Sequence, residues 1–272
     1  MSLLESCREC PKVPAGDVVW KPSTASGGNS KAGLRPGTSR NDQITDSQQI
    51  PMNAPPRVLI SAGPTHEPID AVRYLGNRSS GRLGISLADA AIAHGCQTTL
   101  LLGPTSQVPS EDSGLTIHRF QSCADLESLL METWPAHDLL FMAAAVADYR
   151  PVKTFEEGKL RRTPGSLSLE LESTPDLLAG LARHSRPEQV RVGWALEPRE
   201  ALIKSARAKL ERKQLDAIIA NPLETLDARD IEPTLILADG STHSPPGGRL
   251  SKADFADWLL KLSLEIPPRE RS

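Results

Sequence analysis

From Arg57 onward, short apolar runs alternate with segments of helical periodicity, and this alternation constrains the fold of the 272-residue chain more than any other feature. Repeated strand–helix–strand order is typical of an α/β domain with a mostly parallel sheet and helices on both faces, joined by right-handed crossovers. Ligands of such sheets gather at the carboxyl ends of the strands, so functional residues are expected in the loops that follow them. The predicted strands cover residues 58–61, 98–103, 115–120, 139–146, 190–196 and 217–220, and the predicted helices cover residues 83–94, 124–134, 200–215 and 252–265.

Three further segments carry local signals. Leu167, Leu169 and Leu171 alternate with Ser and Glu, which is the pattern of a half-buried strand and of a β arm. The dipeptide at residues 239–240, Asp-Gly, predicts a hairpin turn. Thr174 is predicted to cap a helix that has proline in its first turn.

Two polar loops near the first strand have the composition of a phosphate-binding site. Gly63, Pro64 and Thr65 follow the strand, and residues 77–81, Asn-Arg-Ser-Ser-Gly, precede the helix. A helix N-terminus offers unpaired N–H groups and about half a positive charge, and small residues let an anion approach the backbone. Residues 79–84 supply only two of the three glycines of GxGxxG, so a dinucleotide site is not indicated.

The composition favours a small-molecule substrate. The formal net charge is −3, 39% of the residues are hydrophobic and 24% are charged, and the basic residues are scattered among acidic ones. Neither a nucleic-acid partner nor a membrane surface is therefore expected. No run of about 18 apolar residues and no secretory signal pattern occurs, which predicts a cytoplasmic protein.

Residues 1–55 predict a disordered tail, and residues 56–268 predict the folded domain. The tail is rich in Ser, Gly, Pro, Asn and Gln and has neither strand nor helix periodicity. We therefore expect either that Met52 is the true start or that the tail is dispensable. Cys7 and Cys10 form a CxxC without a second pair, which is at most half a zinc site. Cys96 and Cys123 stand in apolar context and are predicted to be buried packing residues rather than nucleophiles.

Asp148, after a predicted strand, and Asn77, before a predicted helix, lie where a ligand could bind. Asp148 follows the apolar run at residues 141–147 and either binds a ligand or caps the next turn. The small alanines of that run leave room for a flat ring. Asn77 either handles a ligand in the phosphate loop or caps the helix.

Three lysines are candidates for binding an anion. Lys159 lies in a polar segment with three cations within four residues, which is either a solvated charge run or a lid over phosphates. Lys209 and Lys213 are neighbours on one predicted helix, where like charges are unfavourable unless an anion lies between them. Considered alone, that pair indicates no more than a charged surface.

Six segments in order resemble the phosphopantothenoylcysteine synthetase family, which often forms the C-terminal half of a bifunctional coenzyme A biosynthesis flavoprotein. The resemblance covers about residues 57–266. The segments are GPTHEPIDAVRYLGNRSSGRLG at 63–84, AAAVADYRP at 143–151, KLRR at 159–162, TPDLL at 174–178, VGWALEP at 192–198 and ARAKLERKQLDAIIAN at 206–221.

The resemblance implies a Rossmann-like homodimer that acts as a ligase in coenzyme A biosynthesis. In this family a nucleoside triphosphate, CTP in the bacterial branch, activates the carboxylate of 4′-phosphopantothenate as an acyl-cytidylate and releases pyrophosphate. The amine of L-cysteine then displaces CMP. The implied cofactor is Mg²⁺ on the triphosphate. No flavin is implied, because 55 polar residues cannot form the decarboxylase half, and a separate protein is expected to supply decarboxylation.

The resemblance also implies roles for particular residues. Asn77 and Lys159 match the residues that handle the acyl-nucleotide and close the lid, and Trp194 stands where family members commonly carry Phe beside the nucleotide. Asp148 is the implied contact to the nucleotide or its metal. The implied nucleotide-binding residues are Gly63, Ser80, Gly81, Ala145, Asp148, Lys159, Trp194, Lys209 and Lys213.

The lid differs from the family pattern, which leaves other functions open. It reads KLRR rather than KIKK, and arginine keeps the charge but changes the hydrogen-bonding geometry. A nucleotide-binding module without catalysis is one alternative. A nicotinamide-dependent reductase is another, disfavoured by the missing third glycine and by the lack of a Tyr-x-x-x-Lys pair. Residue identity does not decide between CTP and ATP.

Overall fold

The computed structural model describes residues 54–269 apart from residues 112–113, 154–157, 163, 226–227 and 229. Residues 1–53, with Cys7, Cys10 and Met52, lie outside the described residues, so the predictions made for the tail stay predictions. Among the described residues, no helix has the length and apolar character needed to cross a membrane.

The described chain contains fourteen strands and five α-helices, with short 3₁₀ segments at Trp134–Ala136, Leu181–His184 and Leu223–Thr225. In chain order the elements are β1 (Arg57–Ala62), β2 (His66–Pro68), β3 (Tyr74–Gly76), α1 (Arg82–Ala93), β4 (Gln97–Leu102), β5 (Leu115–Arg119), α2 (Cys123–Thr133), β6 (Leu139–Met142), β7 (Tyr149–Pro151), β8 (Leu171–Ser173), α3 (Leu177–Gly180), β9 (Val190–Glu197), α4 (Arg199–Arg212), β10 (Ala217–Pro222), β11 (Asp230–Ile231), β12 (Thr234–Leu237), β13 (Thr242–His243), β14 (Leu250–Ser251) and α5 (Lys252–Ser263).

Eight of these strands form one sheet in the order β13-β12-β10-β9-β6-β1-β4-β5. The strands from β10 to β5 are parallel, whereas β12 joins β10 antiparallel and β13 joins β12 antiparallel. The chain moves from β1 outward to β4 and β5, and it then returns to the other side of β1 as β6. This reversal opens a crevice at the carboxyl ends of β1 and β6, where α/β sheets bind ligands.

Helices cover both faces of the sheet, which confirms the predicted three-layer α/β architecture. Val58 and Ile60 of β1 pack into a core beneath α1 and α5, whereas Leu59 packs into a second core beneath α2, α3 and α4. A strand buried on both faces is apolar throughout, because neither set of alternating side chains reaches solvent. Cys96 and Cys123 are buried in these cores, as predicted. Burial raises the pKa of both thiols, that of Cys123 to about 11.

The strand predicted for residues 139–146 ends earlier, at Met142. Beyond this point the backbone follows the loop after β1, because that loop supplies partners for its amides. The N–H groups of Ala144 and Ala147 donate to the hydroxyls of Ser61 and Thr65, and the N–H of Ala145 donates to the carbonyl of Gly63. Residues 143–148 therefore form an irregular segment at the crevice instead of extending the strand.

The predicted β arm is confirmed, because β8 pairs antiparallel with β7, whereas its half-buried character and the predicted helix cap were wrong. Leu167 and Leu169 lie outside the strands, and with Leu171 of β8 they are exposed rather than half-buried. The reason is that β8 pairs with the short β7 and not with the central sheet. Asp176, not Thr174, caps α3, because the Thr174 hydroxyl donates to the carbonyl of Ala147 instead. The hairpin turn at residues 239–240 is confirmed between β12 and β13.

Gly84 lies where α1 contacts β1 most closely. A Cβ added there would lie 2.3 Å from the Cβ of Ala62 and 3.1 Å from its Cα. Gly84→Ala is expected to push α1 from the sheet and lower the free energy of unfolding by about 1–3 kcal/mol, measured by urea denaturation. Gly180→Ala is the matched control, since Gly180 is helical and a Cβ added there would have no other atom within 4 Å. Equal destabilisation by the two variants would contradict the prediction.

Candidate functional site

A cavity of about 1090 Å³ lies at the crevice where the strand order reverses. Its walls come from the loop before α1, the segment after β6, the start of α3, the end of β9 and one face of α4. The predicted site residues that line it are Asn77, Ser80, Gly81, Ala145, Asp148, Trp194, Lys209 and Lys213. Eight residues from four sequence motifs therefore meet in one place.

The N-terminus of α1 forms one wall of the cavity. Gly81 is its N-cap, at φ 74°, and no side chain among the described residues caps the helix there. The first turn also contains no acidic residue. An uncapped helix N-terminus of this kind is where proteins commonly bind anions, and anion binding by residues 77–81 stays a prediction.

Gly63 supports this wall from beneath and does not line the cavity. It has φ 83°, and a Cβ added at Gly81 would lie 3.4 Å from its backbone nitrogen. A Cβ added at Gly63 would in turn lie 3.4 Å from the backbone of Gly103. The backbones of Gly63, Gly81 and Gly103 therefore approach one another closely. The role of Gly63 is to permit this approach, because it has no side chain.

Asn77 joins the two loops that flank the crevice. Its Nδ2 donates to the carbonyl of Val146 at 2.8 Å. The interpretation of Asn77 as a helix cap is wrong, because Gly81 occupies that position. One amide hydrogen is used by Val146, so the second hydrogen and Oδ1 remain for a ligand.

The segment after β6 is held by threonines on both sides. The Thr65 hydroxyl accepts the N–H of Ala147 at 2.9 Å, and the Thr174 hydroxyl donates to the carbonyl of Ala147 at 2.6 Å. Ala145 lies within this segment and lines the cavity with a small side chain. Asp148 follows it and is exposed at the cavity mouth.

Lys209 of α4 and Lys213, the C-cap of that helix, line another part of the cavity. Lys209 Nζ donates to the carbonyl of Trp194, and Lys213 Nζ lies 2.7 Å from Oδ1 of Asp176. Burial lowers the pKa of Lys209, and the positive charge of Lys213 lowers it further. Burial alone would raise the pKa of Asp176, but its hydrogen bonds from Lys213 and from the N–H of Ala179 lower it. The two lysines thus face the cavity and not open solvent.

Trp194, within β9, and Asn221, near the end of β10, also line the cavity. The Trp194 ring packs edge-on against Phe141, with centroids 6.3 Å apart and an interplanar angle of 64°. Its Nε1 is buried and has no hydrogen-bond partner among the described residues. Oδ1 of Asn221 is also buried and also has no hydrogen-bond partner among the described residues. Two unsatisfied polar atoms at one cavity are a costly arrangement that a ligand could relieve.

The amide orientation of Asn221 follows from its neighbour. The Thr225 hydroxyl donates its only proton to the carbonyl of Pro222 at 2.8 Å. It must therefore accept from Asn221, 2.7 Å away, which places Nδ2 toward Thr225 and leaves Oδ1 as the unpaired atom.

Sequence reasoning assigned no role to Asn221 or Asp176, although both line the cavity. Asn221 ends a motif that was recognised, and a polar residue at the end of a buried strand was the signal that could have found it. The position of Asp176 opposite Lys213 could not be found in this way, because 37 residues separate the two.

Lys159 lies outside the cavity walls and is exposed. The adjoining backbone is bonded to the turn before β3. The N–H of Leu160 donates to Oδ2 of Asp70 at 3.0 Å, and the carbonyl of Gly158 accepts the N–H of Ala71. The structure therefore does not bring Lys159 together with the other predicted site residues, and its role as a lid lysine stays a prediction.

The side chains that line the cavity could bind a metal ion only together with a ligand that supplies further oxygen atoms. Within the described part of the chain, no group of three His, Cys, Asp or Glu side chains could hold a metal. Asp176 is already paired with Lys213, whereas Asp148 is exposed at the mouth. Mg²⁺ in nucleotide sites commonly takes one or two carboxylates together with phosphate oxygens and water. Asp148 fits an ion that arrives on a nucleotide.

Comparison with known proteins shows which family matches the chain. Residues 54–266 match the family described as DNA/pantothenate metabolism flavoprotein C-terminal domain. A prokaryotic protein of unknown organism, named cysteine/cysteine sulfinic acid decarboxylase, is 42% identical over 168 residues, which are 62% of this chain and 46% of that protein. The coenzyme A biosynthesis bifunctional protein CoaBC of Bacillus subtilis strain 168 is 39% identical over 209 residues, 75% of this chain and 50% of that protein.

The chain spans about half the length of these curated relatives. A crystal structure of the C-terminal domain of CoaBC is 31% identical and superposes with a TM-score of 0.64, covering 78% of this chain and 95% of that domain. The similarity thus extends over nearly all of that solved domain, and its fold agrees with the Rossmann-like fold that the sequence motifs implied.

Proposed function

We propose, since this chain belongs to the DNA/pantothenate metabolism flavoprotein C-terminal domain family, that it is a ligase of coenzyme A biosynthesis. In the proposed reaction, 4′-phosphopantothenate and L-cysteine form 4′-phosphopantothenoyl-L-cysteine, while CTP is converted to CMP and pyrophosphate. The observation that carries the proposal is that the uncapped N-terminus of α1, Lys209 and Lys213 all line one cavity. The name of the Bacillus subtilis relative supports the pathway.

The cavity walls divide the charge of a triphosphate between them. The backbone around Ser80 and Gly81 receives phosphate oxygens at the positive end of the helix dipole. Lys209 and Lys213 neutralise charge from the other side, and this helps the phosphopantothenate carboxylate to approach the α-phosphorus. Mg²⁺, when bound, would shield the phosphate oxygens beside Asp148.

In the first step the carboxylate oxygen forms a bond to the α-phosphorus and the bond to pyrophosphate breaks. The product is an acyl-cytidylate, in which the oxygen that would leave poorly is now part of a phosphate group. The protein contributes positioning and charge neutralisation in this step.

In the second step the amine of cysteine attacks the acyl carbon, CMP leaves and the nitrogen loses a proton. Negative charge develops on the acyl oxygen during the attack. The proposed donor to this oxygen is the amide hydrogen of Asn77 that Val146 does not use. The bond to Val146 holds the amide in position for this purpose.

Trp194 and Asn221 are the proposed contacts for the nucleoside. The indole offers a flat apolar face with an unpaired donor, and Asn221 offers an unpaired acceptor. A base or ribose supplies both flat surface and hydrogen-bonding groups, so its binding would satisfy both atoms.

One assay separates the proposal from its alternatives. The protein is incubated with CTP, Mg²⁺, 4′-phosphopantothenate and cysteine, and pyrophosphate and product are measured. A ligase releases pyrophosphate and forms product. A nucleotide-binding module without catalysis, which the position of Lys159 outside the cavity favours, binds CTP but releases no pyrophosphate. A nicotinamide-dependent enzyme responds only to a reduced cofactor. Repeating the assay with ATP, GTP and UTP, and with a chelator, tests the choice of CTP and the need for Mg²⁺.

Lys159→Ala is expected to slow pyrophosphate release by about tenfold, because a lid cation that closes over the phosphates would be lost. Single-turnover measurement of pyrophosphate checks this result. Lys153→Ala is the control, since Lys153 is an exposed cation that precedes Lys159 in the same polar segment. An unchanged rate in the Lys159 variant would remove the lid role.

The proposed assembly is a homodimer, as the family resemblance implies. Exposed apolar side chains on the β7–β8 pair and in the segment before β8 support it, among them Tyr149 at 55% exposure and Leu167 at 66%. Exposed apolar side chains that cluster commonly mark protein interfaces.

Leu167→Glu is expected to weaken the dimer by about tenfold or more, because it places a charge in an apolar interface. Sedimentation equilibrium measures the dissociation constant. Met131→Glu introduces the same charge at an exposed apolar position on α2 and should leave the dimer unchanged. A monomeric wild-type protein would refute the assembly.

A further inference from the structure

We propose that Arg191 is a positioning residue, which holds the Asp176–Lys213 ion pair in place at the cavity wall. The inference rests on the proposed nucleotide-dependent function, because the pair matters to activity only if this wall binds a nucleotide. Arg191 itself does not line the cavity.

Arg191 is fully buried, although it carries a charge. It is the second residue of β9 and has 0% exposed surface. An apolar side chain could fill the same volume without removing a charge from water, so packing alone does not account for a guanidinium at this position. Its hydrogen bonds give the reason for its presence.

The guanidinium bridges two backbone segments that are far apart in sequence. One terminal nitrogen donates to the carbonyl of Leu178 at 3.2 Å, and the other donates to the carbonyl of Gln214. Leu178 lies two residues after Asp176, and Gln214 directly follows Lys213. A single side chain thus ties together the two segments whose side chains meet at 2.7 Å in the ion pair.

The segment after Lys213 needs such support. Gln214 has φ 50°, and among the described residues no other non-glycine residue has a positive φ. This left-handed conformation is unfavourable for a residue with a Cβ and persists where neighbouring groups enforce it. The helix-ending bonds from the N–H groups of Gln214 and Leu215 to the carbonyls of Glu211 and Leu210 set this conformation, and the bond from Arg191 to the Gln214 carbonyl ties it to β9.

Two further features set the position of Arg191 and its neighbours. The backbone N–H of Arg191 donates to Oδ2 of Asp216 at 2.7 Å, which joins β9 to the residue before β10. Gly193, two residues along the same face of β9, leaves space for the side chains of Leu178 and Leu215, since a Cβ there would lie 3.0 and 2.7 Å from them. The strand, the start of α3 and the end of α4 are thus joined at one buried point.

The shape of the arginine side chain suits both bonds at once. Its planar fork presents donors in two directions, whereas a lysine ammonium is a compact point charge on a flexible stem. Arg191→Lys therefore keeps the charge and removes the bridge. Lys213 and Asp176 are then no longer held at a defined separation, and the cation that should meet the triphosphate shifts.

The test compares Arg191→Lys with Leu126→Ala, a variant of a fully buried residue of α2 that does not line the cavity. KM for CTP is expected to rise about tenfold in the arginine variant while KM for cysteine stays unchanged. Hydrogen exchange at residues 213–216 is expected to accelerate, also by about tenfold. The Leu126 variant should lose stability without either change.

Several results would overturn the inference. They are an unchanged KM for CTP together with unchanged exchange at residues 213–216, or equal effects of the two variants on both quantities. If Arg191→Lys does not fold, exchange in the wild-type protein decides, because the clamp requires residues 213–216 to exchange as slowly as β9. If the wild-type protein releases no pyrophosphate, the proposed function fails, and the exchange comparison still tests the clamp.

Discussion

Asn77→Asp is expected to leave pyrophosphate release intact while slowing amide formation by about 100-fold or more, since the donor that stabilises charge on the acyl oxygen is lost. In the structure the Asn77 amide donates to the Val146 carbonyl. An aspartate has no hydrogen to donate there, and its negative charge would repel both that carbonyl and the acyl oxygen. The acyl-cytidylate should therefore form and accumulate.

Rapid-quench experiments with labelled CTP measure the two half-reactions separately. The accumulated acyl-cytidylate is detected when cysteine is present, and its decay gives the rate of the second step. Gln107→Glu is the control for added charge, because Gln107 lies near the rim and bonds to Arg82 rather than to the segment after β6. Wild-type rates in both half-reactions of the Asn77 variant would exclude the assigned role.

Lys209→Met is expected to raise KM for CTP by about 100-fold, because a partly buried charge-assisted contact with the triphosphate is removed. Methionine keeps most of the side-chain volume, so the loss reflects charge rather than packing. Lys204→Met is the matched control on the same helix, since Lys204 is exposed and lies outside the cavity walls. Equal KM values for the two variants would exclude Lys209 from the binding site.

The lowered pKa of Lys209 makes the same contact sensitive to pH. Burial, followed by the charge of Lys213, lowers this pKa, so the free protein loses the proton at a lower pH than an ordinary lysine does. A bound triphosphate favours the charged form, and above the lowered pKa a proton must be taken up when CTP binds. KM for CTP should therefore increase as the pH rises through this pKa. Lys209→Arg should flatten that increase, because arginine keeps its charge.

The lowered pKa also fixes the sign of its effect on stability. Charging Lys209 is costlier in the folded than in the unfolded protein, so the contribution of this group to the free energy of unfolding increases with pH through the lowered pKa. This contribution to the free energy of unfolding is lost as the pH falls through the lowered pKa. Denaturation of wild type and Lys209→Met across this range separates that contribution from the binding effect.

The order of strands and helices could be predicted because local patterns carry it. Val58, Leu59 and Ile60 form a continuous apolar run, and a run of this kind is stable only where both faces are covered. The position of the loop that contains Ser80 and Gly81 at the start of α1 could be predicted for a similar reason, since these residues directly precede a helix. In both cases the signal lies within a few residues.

Other features could not be predicted, because partners distant in sequence decide them. The strand β6 stops at Met142 because Ser61, Gly63 and Thr65 supply other hydrogen-bond partners to the residues that follow. The alternating leucines around residue 169 have the pattern of a buried strand, yet they are exposed because the central sheet does not extend beneath them. Periodicity reports which face is apolar and not whether anything covers it.

Local patterns along the chain are sufficient to specify a covered parallel sheet and a loop rich in serine and glycine before its first helix, since backbone geometry and apolar periodicity act over short distances. The contact of Lys213 with Asp176, the unpaired oxygen of Asn221 and the bridge from Arg191 to two carbonyls are visible only in the folded chain. Each of these depends on the packing of helices onto the sheet, which brings together residues that no local pattern connects.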